Sequence, residues 1–188
     1  MQSIQSATKF EQQVQQDTWR WLERVVLGLQ LCPFARQPWE SGRIRIQVSP
    51  AESITALAED LHAELLRLDQ AAPMELETTL LVHPAVLADF LDFNDFLEIA
   101  DEMVAALELE GVVQIASFHP QYRFADTSAD DPANCTNRTP YPTLHLLREA
   151  SVERAVATMG APEEIYQRNI EVLDELGIDG WLRLLKGD

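Results

Sequence analysis

The chain has 188 residues, enough for one domain with helical extensions, and an apolar fraction of 46% is sufficient for a real core. Its net charge of −17 makes phosphate backbones and anionic lipid poor partners, so neither nucleic acid nor a membrane surface is expected. No apolar run approaches the roughly 20 residues of a membrane span, and the start MQSIQSATKFEQQ lacks the apolar core of a signal peptide. A cytoplasmic location with reduced cysteines is therefore expected, and the two glycosylation-type triplets at Asn134 and Asn137 should carry no sugar.

Residues 8–30 read as a helix, with Phe10, Val14, Leu22, Val25 and Leu29 at helical spacing. Trp19 and Trp21 fall on different sides of it, so one of them should meet a second element. The helix must stop before Pro33. Arg43 to Val48 alternates polar and apolar residues and reads as a strand. Ser49-Pro50-Ala51-Glu52 then has the form of a capping box with proline at the first helical position, predicting a helix from about Pro50 to Asp69. Thr78 to Val82 is a short apolar strand ended by His83-Pro84. A second helix, capped by Asp92 or Asn94, carries Phe96, Ile99, Met103 and Leu107 and should stop by Gly111. Val112 to Phe118 is a third strand, ended by His119-Pro120. Pro142 to Met159 reads as a helix, with a strand ending before Ser151 as the alternative. A last helix starts at Pro162 and stops at Gly177, and Trp181 to Leu185 forms an apolar tail expected to dock on the body. No internal repeat or low-complexity linker interrupts the order.

Strands joined by single helices usually lie parallel with right-handed crossovers. The expected fold is therefore α/β: a single domain over 1–188 with its core at about 18–160. A mostly parallel sheet of three or four strands is covered by helices, and the C-terminal helices span 162–185. In such sheets ligands bind beyond the carboxyl ends of the strands. Here those ends carry Val48-Ser49, Val82-His83 and Phe118-His119.

The chemistry concentrates between Ser117 and Arg148. This stretch holds two of the four histidines, one of the two cysteines, three arginines, two asparagines and four prolines, so much of it is expected to be irregular. His119 and His145 are the candidate acid/base pair, since imidazole titrates near neutral pH. Each has a plainer reading, as a histidine bonded to a strand-end carbonyl or set on an amphipathic helix. Only 14 basic residues serve the whole chain, yet Arg123, Arg138 and Arg148 fall here. Either Asp126, Asp130 and Asp131 pair with them, or they form a cationic cup for a small anion. Asn137, Arg138, Tyr141 and Arg148 are the candidate substrate-binding residues. Arg138 and Arg148 are expected to face one cavity with His119. Cys32, His83 and Tyr122 are secondary candidates; Cys32 would be a thiolate activated by a short helix start, or simply a buried thiol. His83, His119 and His145 also offer an optional three-nitrogen metal site, although no spacing demands a metal. Patterns for phosphate loops, dinucleotide folds, zinc proteases and serine hydrolases are absent.

Four stretches carry a resemblance: Leu31-Cys32-Pro33-Phe34-Ala35; Phe118-His119-Pro120 with Tyr122 and Phe124; Thr136-Asn137-Arg138-Thr139-Pro140-Tyr141-Pro142; and His145-Leu146-Leu147-Arg148-Glu149. Together they resemble domain-of-unknown-function family 1415, found mainly in bacteria, over about Thr18 to Val156. The resemblance implies no established activity. The function expected from the residues is an enzyme acting on a small anionic metabolite through the His/Arg/Asn loop. The alternatives are a non-catalytic metabolite-binding or regulatory module, or an acidic interaction domain. An apolar cup with Arg but no titratable pair would favour the binding module.

Overall fold

The structure, a computed structural model, describes residues 2–159 and 162–186. The chain begins with α1 (Gln2–Trp21), which runs on into a π-helical turn over Leu22–Leu27. A short helix α2 (Arg36–Glu40) leads to β1 (Ile44–Val48). Then follow α3 (Ile54–Gln70), β2 (Thr78–Val82), α4 (Phe90–Ala106) and β3 (Val113–Phe118). A 3-10 turn over Pro132–Asn137 precedes β4 (Thr143–Arg148), α5 (Glu149–Met159) and α6 (Pro162–Lys186). Among the described residues no helix is long and apolar enough to cross a membrane.

The four strands form one sheet in the order β1-β2-β4-β3. Only β1 and β2 pair in parallel; β4 runs antiparallel to both of its neighbours. This corrects the expectation of a mostly parallel sheet. The three strands followed from the sequence do point the same way, but β4 is inserted between β2 and β3. The stretch read as a helix from Pro142 supplies that strand, and the helix begins only at Glu149.

The pleat divides the molecule. Leu81, Leu144, Leu146, Val113 and Ile115 face α3 and α4, where Leu57, Leu61, Leu65, Leu68, Phe93 and Phe96 close an apolar core. Each fully buried side chain of this size contributes about 1.5–3 kcal/mol. Ile46, Val48, Leu80, Val82 and Phe118 face the other way, against α1, the π-helical turn and α6. On that side Trp19 meets Trp39 edge-on, and Trp21 meets Phe118. Phe10, placed in the apolar stripe by spacing, is 53% exposed because the layer beneath α1 begins only at Val14.

Local signals explain most boundaries. Ser53, not Ser49, caps α3 by accepting from the Ala56 amide, so the helix starts four residues beyond Pro50. Ser49 is used differently: its hydroxyl donates to Asp60 Oδ2 and accepts from the Ala51 amide. Asp89 caps α4, ahead of the expected Asp92 or Asn94. At Gly177 (φ 65°) α6 leaves helical geometry and then resumes, which docks Trp181 at 5% exposure. Gly28, just after the π-helical turn, is required by close approach, since a Cβ there would collide with the Arg24 carbonyl oxygen.

Candidate functional site

The two histidines at the strand ends belong to the core. His83 is fully buried and stacks on Phe93, whose ring also meets His119. His83 Nδ1–H donates to the Val86 carbonyl, 3.1 Å away, and Nε2 has no partner among the described residues. Burial holds His83 down to about 4, so it is a neutral imidazole near neutral pH. His119 accepts the Gln121 amide at Nδ1 (3.0 Å). Its Nε2–H therefore donates to the Leu87 carbonyl (3.2 Å), which fixes the tautomer and fills both nitrogens. Burial lowers its pKa as well. His145 is on β4, directly opposite Leu80, and faces the other side of the sheet from Phe93. The expected pairing of His119 with His145 is thus interrupted by the sheet itself. Among the described residues no three metal-ligating side chains converge.

The expected arginine cup is not formed. Arg138 donates from Nε to the Tyr122 carbonyl (3.1 Å) and from a terminal nitrogen to the Ala129 carbonyl (2.7 Å), stitching the long loop. It borders an open groove with Tyr122, Phe124 and Phe90. Arg148, six residues along β4, lies at the opposite end of the sheet and donates to the Leu68, Ala71 and Leu76 carbonyls. Asp131 accepts from the Ala133 amide rather than pairing with an arginine. Arg138→Ala should therefore cost about 1–2 kcal/mol of stability. That corresponds to a fall of about 2–8 °C in melting temperature; an unchanged thermal transition would contradict this bracing role.

Other candidates also have structural work. Asn134 is fully buried and binds the Phe124 amide, the Thr127 hydroxyl and the Ser128 carbonyl. Tyr141 donates its hydroxyl to Asp17 on α1 (3.0 Å), and burial with that carboxylate pushes the phenol up to about 12. Tyr122 is packed between Phe90 and Phe124.

Four candidates do meet. Cys32, Asn137, His145 and Arg148 border one cavity of about 180 Å3 on the α1 side of the sheet. Its walls are largely apolar: Trp21, Leu22 and Val26 from α1 and the π-helical turn, Phe34 and Ala35 before α2, and Leu80, Phe118 and Leu147 from the sheet. Turns of π geometry recur at binding sites because they displace side chains from the regular helical path. Asn137 is fixed by its Nδ2–H bond to the Ser117 carbonyl (3.1 Å), and its own carbonyl accepts the His119 amide. Burial pushes the Cys32 thiol up, outweighing the Phe34 and Ala35 amides that pull it down, so the expected thiolate is not favoured. His145 is held by burial down to about 4. Its Nε2 lies 2.7 Å from the Thr78 hydroxyl. Glu77, also on the wall, is neutralised by a buried pair with Arg43 at 2.8 Å.

The sequence reading missed Glu77, Thr78, Leu80 and Leu147 as parts of this wall. Alternation along TTLLV and TLHLLR would have found three of them once both were read as strands, because alternate side chains share a face.

Neither a curated protein nor a solved structure matches the chain. A family model does, over residues 13–183, and the chain therefore belongs to the family described as protein of unknown function DUF1415.

Proposed function

We propose that this chain is a small-molecule-binding module whose ligand occupies the cavity between the sheet and the π-helical turn. One observation carries the reading. Stretch 31–35 is far in sequence from the neighbouring stretches 136–142 and 145–149, yet all three, which bear the family resemblance, border this single cavity. A structural core alone would have filled the space, since protein interiors close to crystal density. The volume of about 180 Å3 suits a compact ligand, because an apolar cavity of about 150 Å3 already accepts benzene.

Binding is favoured over turnover because the titratable groups on the cavity wall are held away from proton exchange: burial raises the Cys32 thiol, and Glu77 is paired with Arg43. His145 stays neutral, and its former partner His119 has both nitrogens engaged elsewhere. The small anionic ligand expected from the arginines loses its main support, since Arg148 is turned to three backbone carbonyls.

The test is a thermal-shift screen of compact aromatic and branched aliphatic molecules against the wild type and Ala35→Phe, which places a ring in the cavity. Ligand at 100 times its dissociation constant stabilises the folded state by about 2.7 kcal/mol. That should raise the melting temperature by roughly 5–10 °C. The shift should vanish in Ala35→Phe, or in Val152→Phe should the first variant not fold. Equal shifts in wild type and a folded filled variant would put the binding elsewhere and end this reading.

A further inference from the structure

We infer that the ligand of this cavity presents a neutral O–H or N–H donor on a compact apolar body, and that Nδ1 of His145 accepts it. The inference rests on the cavity being a binding site, and it adds the chemistry of recognition.

The argument starts from a single proton. The Thr78 hydroxyl has two close neighbours: the Leu146 carbonyl oxygen at 2.6 Å and His145 Nε2 at 2.7 Å. A carbonyl oxygen only accepts, so the one hydroxyl proton goes to Leu146. Thr78 then meets His145 with a lone pair, and Nε2 must be the protonated nitrogen. A neutral imidazole carries one ring proton, which leaves Nδ1 bare as an acceptor. Thr78 is 6% exposed and belongs to β2, while Leu146 and His145 belong to the adjacent β4, so strand pairing fixes this relay.

Nδ1 makes no hydrogen bond among the described residues, yet it is not one of the fully enclosed unpaired atoms. It therefore keeps accessible surface on a side chain that borders the cavity. Around it stand Phe118, with its ring centroid 6.0 Å from the imidazole, and the apolar walls of Leu80 and Leu147. An unpaired acceptor in such surroundings discriminates by what it lacks. A ligand with a donor satisfies it, an apolar isostere leaves it unpaired, and a carboxylate meets it lone pair to lone pair.

The experiment uses the full chain with four probes of one size: phenol, toluene, anisole and benzoate. Affinities are measured by calorimetry for the wild type and for His145→Phe, which keeps a ring and removes the acceptor. The expected result is that the phenol-to-toluene affinity ratio falls roughly tenfold in the variant, with anisole and benzoate weaker than phenol in the wild type. Nitrogen-15 NMR of the wild-type imidazole supplies a second reading that needs no variant. Nε2 should be protonated and Nδ1 bare in the free protein, and Nδ1 should shift on adding phenol. Toluene and phenol binding with a ratio unchanged by the variant would overturn the inference while leaving the cavity a binding site. Preference for benzoate, or a proton found on Nδ1, would also overturn it. Failure of all four probes to bind would overturn the inference together with the reading beneath it.

Discussion

Replacing Arg148 by alanine is expected to lower the unfolding free energy by about 3–4 kcal/mol, and the melting temperature by roughly 10 °C. The guanidinium sits at the end of β4 and reaches the Leu68 carbonyl at 2.5 Å, Ala71 at 2.6 Å and Leu76 at 3.2 Å. Leu68 lies in the last turn of α3, where carbonyls lack helical partners and the helix dipole favours a cation. Ala71 and Leu76 belong to the connection that carries the chain from α3 into β2. One side chain thus ties a helix end, a loop and the central strand together. Hydrogen bonds to a charged group contribute about 1.5–3 kcal/mol each. Water reaching the freed carbonyls should keep the loss below the sum. Arg148→Lys tests the geometry: it retains the charge but not the planar fork, and should recover less than half of the loss. Urea denaturation of the three proteins gives the answer, and a loss under about 1 kcal/mol for the alanine variant would rule out this bracing role.

The same residue shows why some of the site was legible and some was not. Its type announced a planar cation in an acidic chain. Its partners are backbone carbonyls, which have no signature in sequence, so Arg138 and Arg148 looked like free cations awaiting an anion. His119 misled in the same way: a strand-end histidine is equally suited to catalysis and to bonding Leu87 and Gln121. Candidate residues chosen for chemistry therefore fell into three places: a core cluster at Phe93, a groove at Tyr122 and the cavity at His145. Only their backbone positions, not their types, decide which.

The fold divides along a similar line. Thr78–Val82 was readable to the residue, because five strand-forming residues end at His83-Pro84. The helix after β1 was readable in kind but not in register, since Ser49 and Ser53 both have the composition of a cap and only tertiary contacts assign them. TLHLLR lacks a run of β-branched residues and resembles a helix by propensity. Pairing with β2 on one side and β3 on the other overrides that weak preference. The irregular stretch before it lets the chain return between two strands, an outcome that counting strand–helix–strand units does not anticipate.

Acidification from pH 6.5 to pH 5 is expected to remove about 3 kcal/mol of stability through His83 and His145 alone. Both are held down to about 4 in the folded chain by burial, against an ordinary value near 6.5 once unfolded. A depressed histidine is neutral in both states above pH 6.5, where its contribution is fully present. Below that value the unfolded chain takes up a proton that the folded chain refuses. Stability then falls by about 1.4 kcal/mol per pH unit for each such group until the folded value is reached. His119, lowered in the same direction, adds to the fall. The physical cost is visible at each ring. A charge on His83 would sit beside Phe93 in the core. A charge on His145 would face Phe118 and the apolar cavity. His145→Gln keeps a donor for Thr78 and does not titrate, so its stability should lose about 1.5 kcal/mol less than the wild type between the two pH values. Stopping at pH 5 keeps ordinary carboxylates largely ionised, so the difference between variant and wild type reports the imidazole. Equal pH dependence in the two proteins would show that His145 gains its proton without cost, and that the cavity is wetter than its walls imply.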